Sequence, residues 1–212
     1  DPEAPAYVAA RFADPKTGGL QVLVRIYNRS RFLTWFQDVE FAIYGLLYGA
    51  ARTVPGTAGM GGNGQFQRLL ALDDIADADS GGPWRDRLTE DQDLGLRLIE
   101  AGWNGVAEHR TTVEQQGLPG LRRLLRQRTR WAQGNLQAMS QLGAVWRADK
   151  SFPARLDLVC YLLQPVVLAL VGVAFITSIF LAIFDVADYW SDGGWLQLLF
   201  FFLLGYGGIA IG

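Results

Sequence analysis

The 212-residue sequence has one cysteine, Cys160, and one histidine, His109. A lone cysteine excludes a disulfide within the chain and any cysteine-based metal site. A lone histidine excludes multi-histidine metal sites. His109 follows an expected strand and reads more simply as structural than as catalytic. Charge is missing from residues 158–184, a run of 27 positions. The segment after it, DVADYWSDGGW, carries Asp185, Asp188 and Asp192 but no basic residue. No internal repeat or low-complexity segment is present. The net charge of −2 says little, because the charges are unevenly placed.

As a helix, the uncharged run would span roughly 40 Å, more than the ~30 Å hydrocarbon core of a bilayer. Gln164 and Pro165 interrupt it early, a break that membrane helices tolerate. A second apolar run covers residues 195–211. Residues 118–155 carry eight Arg or Lys against one acid, Asp149. The positive-inside rule then puts everything before residue 156 in the cytoplasm and the acidic loop outside. Tyr189, Trp190 and Trp195 suit an interfacial belt. A buried helical hairpin in a soluble protein is the competing reading. The chain starts at Asp1 and stops within an apolar run, so an internal piece of a longer protein is expected.

Residues 1–117 read as a mixed α/β region. LQVLVRIYN (20–28) alternates apolar and polar residues and predicts a strand. Ser30 is placed to cap a helix over 31–51, whose aromatic residues point to a core helix. Residues 56–64 form a glycine-dense turn, with a short helix expected over 65–72. DDIADADSGGPW is a polar loop. A helix starting at Thr89 ends at Gly102. Residues 103–116 predict a strand and loop. Pro119 opens a long helix that runs to about Trp146.

LTEDQDLGLRLIEAG (88–102) crowds Glu90, Asp91 and Asp93 into one helix start. Part of this is structural: Thr89 and Gln92 have the spacing of a capping box, and the helix dipole favours acids in the first turn. Gly102 supplies the left-handed end. Capping does not require three carboxylates. The functional reading is a general base whose pKa is raised by its acidic neighbours and lowered by the helix N-terminus.

LPGLRRLLRQRTRWAQGNLQAM holds a second constellation. Gln127, Arg130 and Trp131 share one helical face, and Arg122, Arg126 and Arg130 form a ladder four apart. Arginine matches phosphate oxygens, and tryptophan offers a flat face to a sugar or base. The alternative is an amphipathic helix on the membrane surface whose arginines meet lipid phosphates. For the arginines other than Arg130, the lipid or solvated reading is preferred. No nucleic-acid reading motif accompanies the basic run, so nucleic acid is not an expected partner.

GTAGMGGNGQFQR (56–68) brings glycines to a helix start but matches neither the Walker nor the dinucleotide spacing. Asp77-Ala78-Asp79 has the form of a metal-binding DxD. It does not follow a strand and is better read as a solvated loop.

TED (89–91), then QRTRW (127–131), then a membrane helix: this order resembles the family 2 glycosyltransferases of the cellulose, hyaluronan and chitin synthase type, with their TED and QxxRW signatures. GGNGQF and IYNR…LTWFQDVEF also resemble bacterial members. The resemblance covers most of residues 8–180. It implies an α/β fold: part of a GT-A-type mixed sheet with flanking helices, followed by an interfacial helix and transmembrane helices. On that reading residues 1–117 are the C-terminal half of the catalytic domain. Residues 118–150 are the interfacial helix carrying QRTRW, and 156–185 and 195–212 are two transmembrane helices. The resemblance implies sugar transfer with inversion from a nucleotide-sugar, of the UDP class, to an acceptor hydroxyl, including processive polysaccharide synthesis among its outcomes. It implies Asp91 as general base, Thr89 and Glu90 completing its loop, and Gln127, Arg130 and Trp131 along the acceptor site and pyrophosphate. Gly62 and Asn63 would face the acceptor. A divalent metal, Mg²⁺ or Mn²⁺, is expected, with no ligand in this fragment, because the family's nucleotide-binding strands and DxD precede this point. The implied partners are a nucleotide-sugar, a glycan or lipid-linked acceptor and membrane lipids. The implied place is a multi-pass position in the plasma membrane, catalytic part cytoplasmic. The fragment alone is expected not to transfer sugar. The non-enzymatic alternative is a membrane-anchored module whose basic helix binds anionic lipid.

Overall fold

The structure is a computed structural model and describes residues 2–76, 81–184, 194–196 and 199–200. The DxD-like residues 77–79 and most of the second apolar run lie outside them. The chain divides into two units, residues 1–162 and 163–212.

The first unit is built on a three-stranded mixed sheet in the order β2-β1-β3. Strand β1 (Thr17–Ile26) is central, parallel to β3 (Asn104–Gln115) and antiparallel to the short β2 (Gln65–Gln67). Helices flank it: α1 (Ala4–Phe12), α2 (Phe32–Ile43) continuing through a π-helical turn (Tyr44–Gly49) into α3 (Ala50–Thr53), α4 (Leu69–Asp74) and α5 (Glu90–Glu100). After β3 come α6 (Leu121–Ala138), a 3₁₀ turn (Met139–Gln141), α7 (Leu142–Arg147) and α8 (Phe152–Ile183). The expected α/β class, a small mixed sheet with flanking helices, is what the chain forms.

The strand expected in residues 20–28 forms as part of β1, which is buried on both faces despite its alternation because it is the central strand. Its polar Gln21 is tolerated because the side chain is fully engaged with residues 61–63. The helix expected over 65–72 begins only at Leu69, because residues 65–67 pair with Gly19, Leu20 and Gln21 of β1. That pairing lies more than 40 residues away and leaves no local signal. Ser30 does not cap α2: Arg31 is the N-cap residue, and its N–H donates to the Thr34 hydroxyl at 3.3 Å. Strand β3 bulges at residues 109–111, where Val22 pairs with Glu108 but Leu23 with Thr112. His109 sits exposed on that bulge.

Helix α5 is the hub. Every residue from Gln92 to Ile99 is buried. Leu94 and Leu98 pack with Ala71 and Ile75, whereas Leu96 and Ile99 pack with Ala138, Val145, Leu158 and Leu162. Each such leucine or isoleucine contributes about 1.5–3 kcal/mol by leaving water. Buried Arg97 is satisfied by donating to the carbonyls of Ile75 and Pro83. Helix α5 ends at Glu100, and Gly102 follows with φ +95°.

Helix α8 starts at Phe152, four residues before the expected 156. Ala154, Leu158 and Leu162, one face at a spacing of four, are buried in the first unit. The helix continues through Pro165 to Ile183. Residues 163–183 number 21, about 32 Å of helix at 1.5 Å per residue. By length and composition α8 is long and apolar enough to cross a membrane.

Candidate active site

The three acids of the α5 start have three fates. Glu90 is exposed. Asp93 is buried, accepts a 2.6 Å bond from Gln141 Nε2 and lies 3.7 Å from both Arg87 and Arg97. It ties α5 to the 3₁₀ turn, and this explains why the long helix expected from Pro119 to Trp146 is broken at Met139–Gln141. Gln141 must turn inward to reach Asp93. Pro119 itself precedes the N-cap, Gly120.

Asp91 is neither exposed nor neutralised. Its Oδ1 accepts from the Gln92 backbone N–H at 2.8 Å. Its Oδ2 faces the backbone of Gly62: a Cβ built there would stand 2.9 Å away. Gly62 has φ +80°, so a side chain is disfavoured on two counts. Burial pushes the Asp91 carboxyl above the ordinary aspartate range. The Gln92 N–H pulls it back, the Glu90 charge raises it, and the Arg130 guanidinium lowers it. The contest between crowding and the helix N-terminus thus ends on the raised side, and desolvation is the main reason.

The foreseen capping box does not form. Thr89 occupies the N-cap position without a side-chain cap bond. Its hydroxyl donates instead to Gln92 Oε1 at 3.1 Å, and Gln92 Nε2 donates to Tyr161 Oη at 3.1 Å. Asp91 has taken the Gln92 backbone N–H, the donor from which a capping Thr89 hydroxyl would have accepted.

Gln21 fixes the loop opposite Asp91. Its Oε1 accepts from Gly61 N at 2.8 Å, and its Nε2 donates to the Asn63 carbonyl at 2.7 Å. The Asn63 side chain is exposed and donates to Gln115 Oε1 at 3.1 Å. The first half of the loop is core rather than site: Ala58 and Met60 are buried, and Met60 lies against Gly95 of α5.

Helix α6 reaches the Thr89 turn through one face. A Cβ at Gly134 would meet Thr89 Oγ1 at 2.5 Å, so only glycine permits this approach. Gln137 Oε1 accepts from the Leu88 N–H at 3.2 Å. Arg130, four residues before Gly134, shares that face and is exposed, close enough for its charge to act on Asp91. Trp131 is half-buried: its ring meets Phe41 edge-on at 6.4 Å, and the Arg128 guanidinium covers it at 4.5 Å. Arg128 also pairs with Glu40. Arg128 is therefore a clamp between α6 and α2, not a lipid-facing or solvated arginine. Gln127 is half-buried.

The structure thus brings Gly62 against Asp91 beside Thr89 and Glu90, with Arg130 near enough for its charge to act on the carboxylate. Trp131 is directed toward α2 and Asn63 toward β3. Gln21, Gly134, Gln137 and Tyr161 escaped the sequence reading. Only Gly134 left a signal there: a glycine within a helix costs about 1 kcal/mol against alanine and asks for a packing reason.

The family described as glycosyl transferase family group 2 matches residues 1–209. A beta-monoglucosyldiacylglycerol synthase from Synechocystis sp. is 31% identical over 163 residues, covering 74% of this chain and 32% of its own length. A protein of the same name from Trichormus variabilis is 34% identical over 134 residues, covering 62% of this chain and 27% of its own. The chain therefore spans about a third of the length of the curated relatives it matches.

Proposed function

The chain belongs to glycosyl transferase family group 2, and from that premise we propose that it forms the acceptor-side part of a membrane-bound, inverting glycosyltransferase. The enzyme moves a sugar from a nucleotide-sugar, of the UDP class, to a hydroxyl of a membrane lipid. The observation that carries this reading is the Asp91 carboxylate, half-buried, raised in pKa and facing the Gly62 backbone within reach of the Arg130 charge.

In the proposed reaction Asp91 accepts the proton of the acceptor hydroxyl. The freed oxygen bonds to the anomeric carbon as the bond from that carbon to the diphosphate breaks on the opposite side. In-line geometry explains inversion, and a base with a pKa nearer neutrality suits the task. Arg130 offers its fork to the departing diphosphate. Thr89 and Glu90 shape the turn, Gly62 and Asn63 line the acceptor side, and Gln127 and Trp131 extend the α6 wall. An Mg²⁺ or Mn²⁺ ion belongs to the proposal as a Lewis acid for the diphosphate. Among the described residues no three His, Cys, Asp or Glu side chains converge on a metal position. Its ligands would come from the nucleotide-binding part that the family resemblance implies.

A lipid acceptor is preferred over a growing polysaccharide for two reasons. The relatives are named as synthases of a glucosylated diacylglycerol. Helix α6 also carries exposed Leu121, Leu125 and Leu136 beside exposed Arg122 and Arg126, a face suited to an anionic bilayer surface. With α8 as a membrane span, the charge rule assigns the catalytic part, a partial GT-A sheet, to the cytoplasmic side of the cell membrane. A non-catalytic lipid-binding module would give the half-buried, raised Asp91 no task.

The test is Asp91→Asn in the full-length protein, assayed with a panel of nucleotide-sugars and diacylglycerol-containing vesicles. Transfer is expected to fall by about 10²- to 10⁴-fold with nucleotide-sugar binding retained. Transfer at the wild-type rate would overturn the assignment.

A further inference from the structure

We infer that Tyr161 is a positioning residue for the Asp91 carboxylate and acts on it through Gln92. The inference rests on Asp91 as the base and adds a part of the site that lies 70 residues further along the chain. Tyr161 stands in the opening turns of α8, in the stretch that belongs to the first unit. Its hydroxyl accepts the 3.1 Å bond from Gln92 Nε2. The other end of the same amide, Oε1, accepts the Thr89 hydroxyl. Gln92 is 7% exposed, so both ends of its side chain are fixed out of water. Its own backbone N–H is the donor that holds Asp91 Oδ1. The orientation of the carboxylate is thus set by a peptide whose side chain is anchored on Tyr161.

Tyr161 is itself held from two directions. Its hydroxyl stands beside that of Tyr44 in the π-helical turn: a Cβ built on Gly59 would lie 3.9 Å from Tyr161 Oη and 3.1 Å from Tyr44 Oη, so the tyrosine pair also abuts the glycine loop. The Tyr161 ring is covered at 4.3 Å by the Arg52 guanidinium, which pairs with Asp157 at 2.9 Å. A hydroxyl fixed in this manner suits a rigid reference point for the catalytic turn, since positioning shells act through locked rotamers. The π-helical turn has a task here as well: it brings the Tyr44 hydroxyl to Tyr161. Such turns are enriched at functional sites.

The experiment compares Tyr161→Phe, Gln92→Ala and the double variant in the full-length, membrane-reconstituted protein. Phenylalanine keeps the ring under Arg52, so folding is preserved. The expected result for Tyr161→Phe is a fall in kcat of about five- to tenfold, the size of one lost hydrogen bond, with the KM for nucleotide-sugar unchanged and only a small fall in melting temperature from the unpaired Gln92 amide. The double variant should be no slower than Gln92→Ala, because both changes cut the same chain of contacts. Hydrogen exchange read by mass spectrometry gives an arm that does not depend on activity: the peptide over residues 89–93 should exchange faster in Tyr161→Phe, the rest of α5 as before. Wild-type kcat with wild-type exchange would overturn the inference. So would additive losses, or a large drop in melting temperature with faster exchange throughout α5, which would mark a scaffold role. Should the wild-type protein transfer no sugar, the proposed function fails, and the exchange arm still decides whether Tyr161 orders the Asp91 turn.

Discussion

Asp38 in α2 is buried and Asp91 in α5 is half-buried, and they end in opposite electrostatic states. Asp38 accepts from Arg25 at 2.9 and 2.7 Å, from Arg29 at 3.2 Å and from the Ile26 N–H at 2.8 Å. These donors outweigh its burial and hold its pKa at about 2. Asp91 has the Gln92 N–H and, among the described residues, no guanidinium at hydrogen-bond distance, so burial wins and its pKa rises. Burial by itself therefore does not mark a reactive acid; the number of donors aimed at it does. Asp38 fastens β1 to α2 at low energy. Asp91 is kept at a cost in stability, as expected of a group retained for chemistry.

The comparison is broken most forcefully at Asp38. Asp38→Ala leaves Arg25 and the Ile26 N–H without their acceptor and should cost about 3 kcal/mol, read as a lower unfolding midpoint. The sign with pH follows. A lowered folded pKa stabilises fully above the ordinary value of 3.8, and that contribution fades as pH falls toward about 2. Next in size is Gly62→Ala. A non-glycine residue at φ +80° costs about 1–2 kcal/mol. The new methyl would press on Asp91 Oδ2, so transfer should drop by about ten- to a hundredfold. An unchanged rate would remove this loop from the acceptor side. Smaller still is the stability effect of Asp91→Asn. A raised folded pKa means that ionisation at neutral pH disfavours the native state, so the amide should be neutral or stabilising, within about 0.5 kcal/mol. A loss as large as that at Asp38 would make the two aspartates alike and end the contrast.

How far the sequence revealed these features depended on distance along the chain. The α5 start, its Gly102 end and the apolar α8 were legible because their signals are local: an acidic first turn, a left-handed glycine, an unbroken uncharged run. The pairing of residues 65–67 with β1 was hidden, since a Gln-Phe-Gln triplet after a glycine reads equally well as a helix start. The break at residues 139–141 was hidden because its cause, the Gln141–Asp93 bond, spans 48 residues. At the site, Asp91 and Arg130 were legible as chemistry-bearing types at helical spacings. Gln21, Gly134 and Tyr161 were not, because a strand glutamine, a helix glycine and a tyrosine in an apolar helix become positioning groups only when the fold sets them against residues 61–63, Thr89 and Gln92. Arg128 was misread for the same reason: only the packing of α6 on α2 shows that its partner is Glu40.

The finest test of the contrast is the acid limb of the rate. If Asp91 must be ionised to accept a proton, kcat/KM falls as pH drops through its raised pKa, at higher pH than an ordinary aspartate would give. The charges acting on it are Glu90 on its own helix and Arg130 on α6; across the site stand the neutral Gly62 loop and Tyr44, which burial keeps protonated. Removing the positive charge with Arg130→Gln should move the limb to higher pH, because the ionised form loses a stabilising neighbour. Removing the negative one with Glu90→Gln should move it to lower pH. Opposite shifts from two single changes, read on one profile, are what a carboxylate set between these two charges requires. A limb that ignores both would place the titrating group elsewhere and leave Asp91 a structural acid like Asp38.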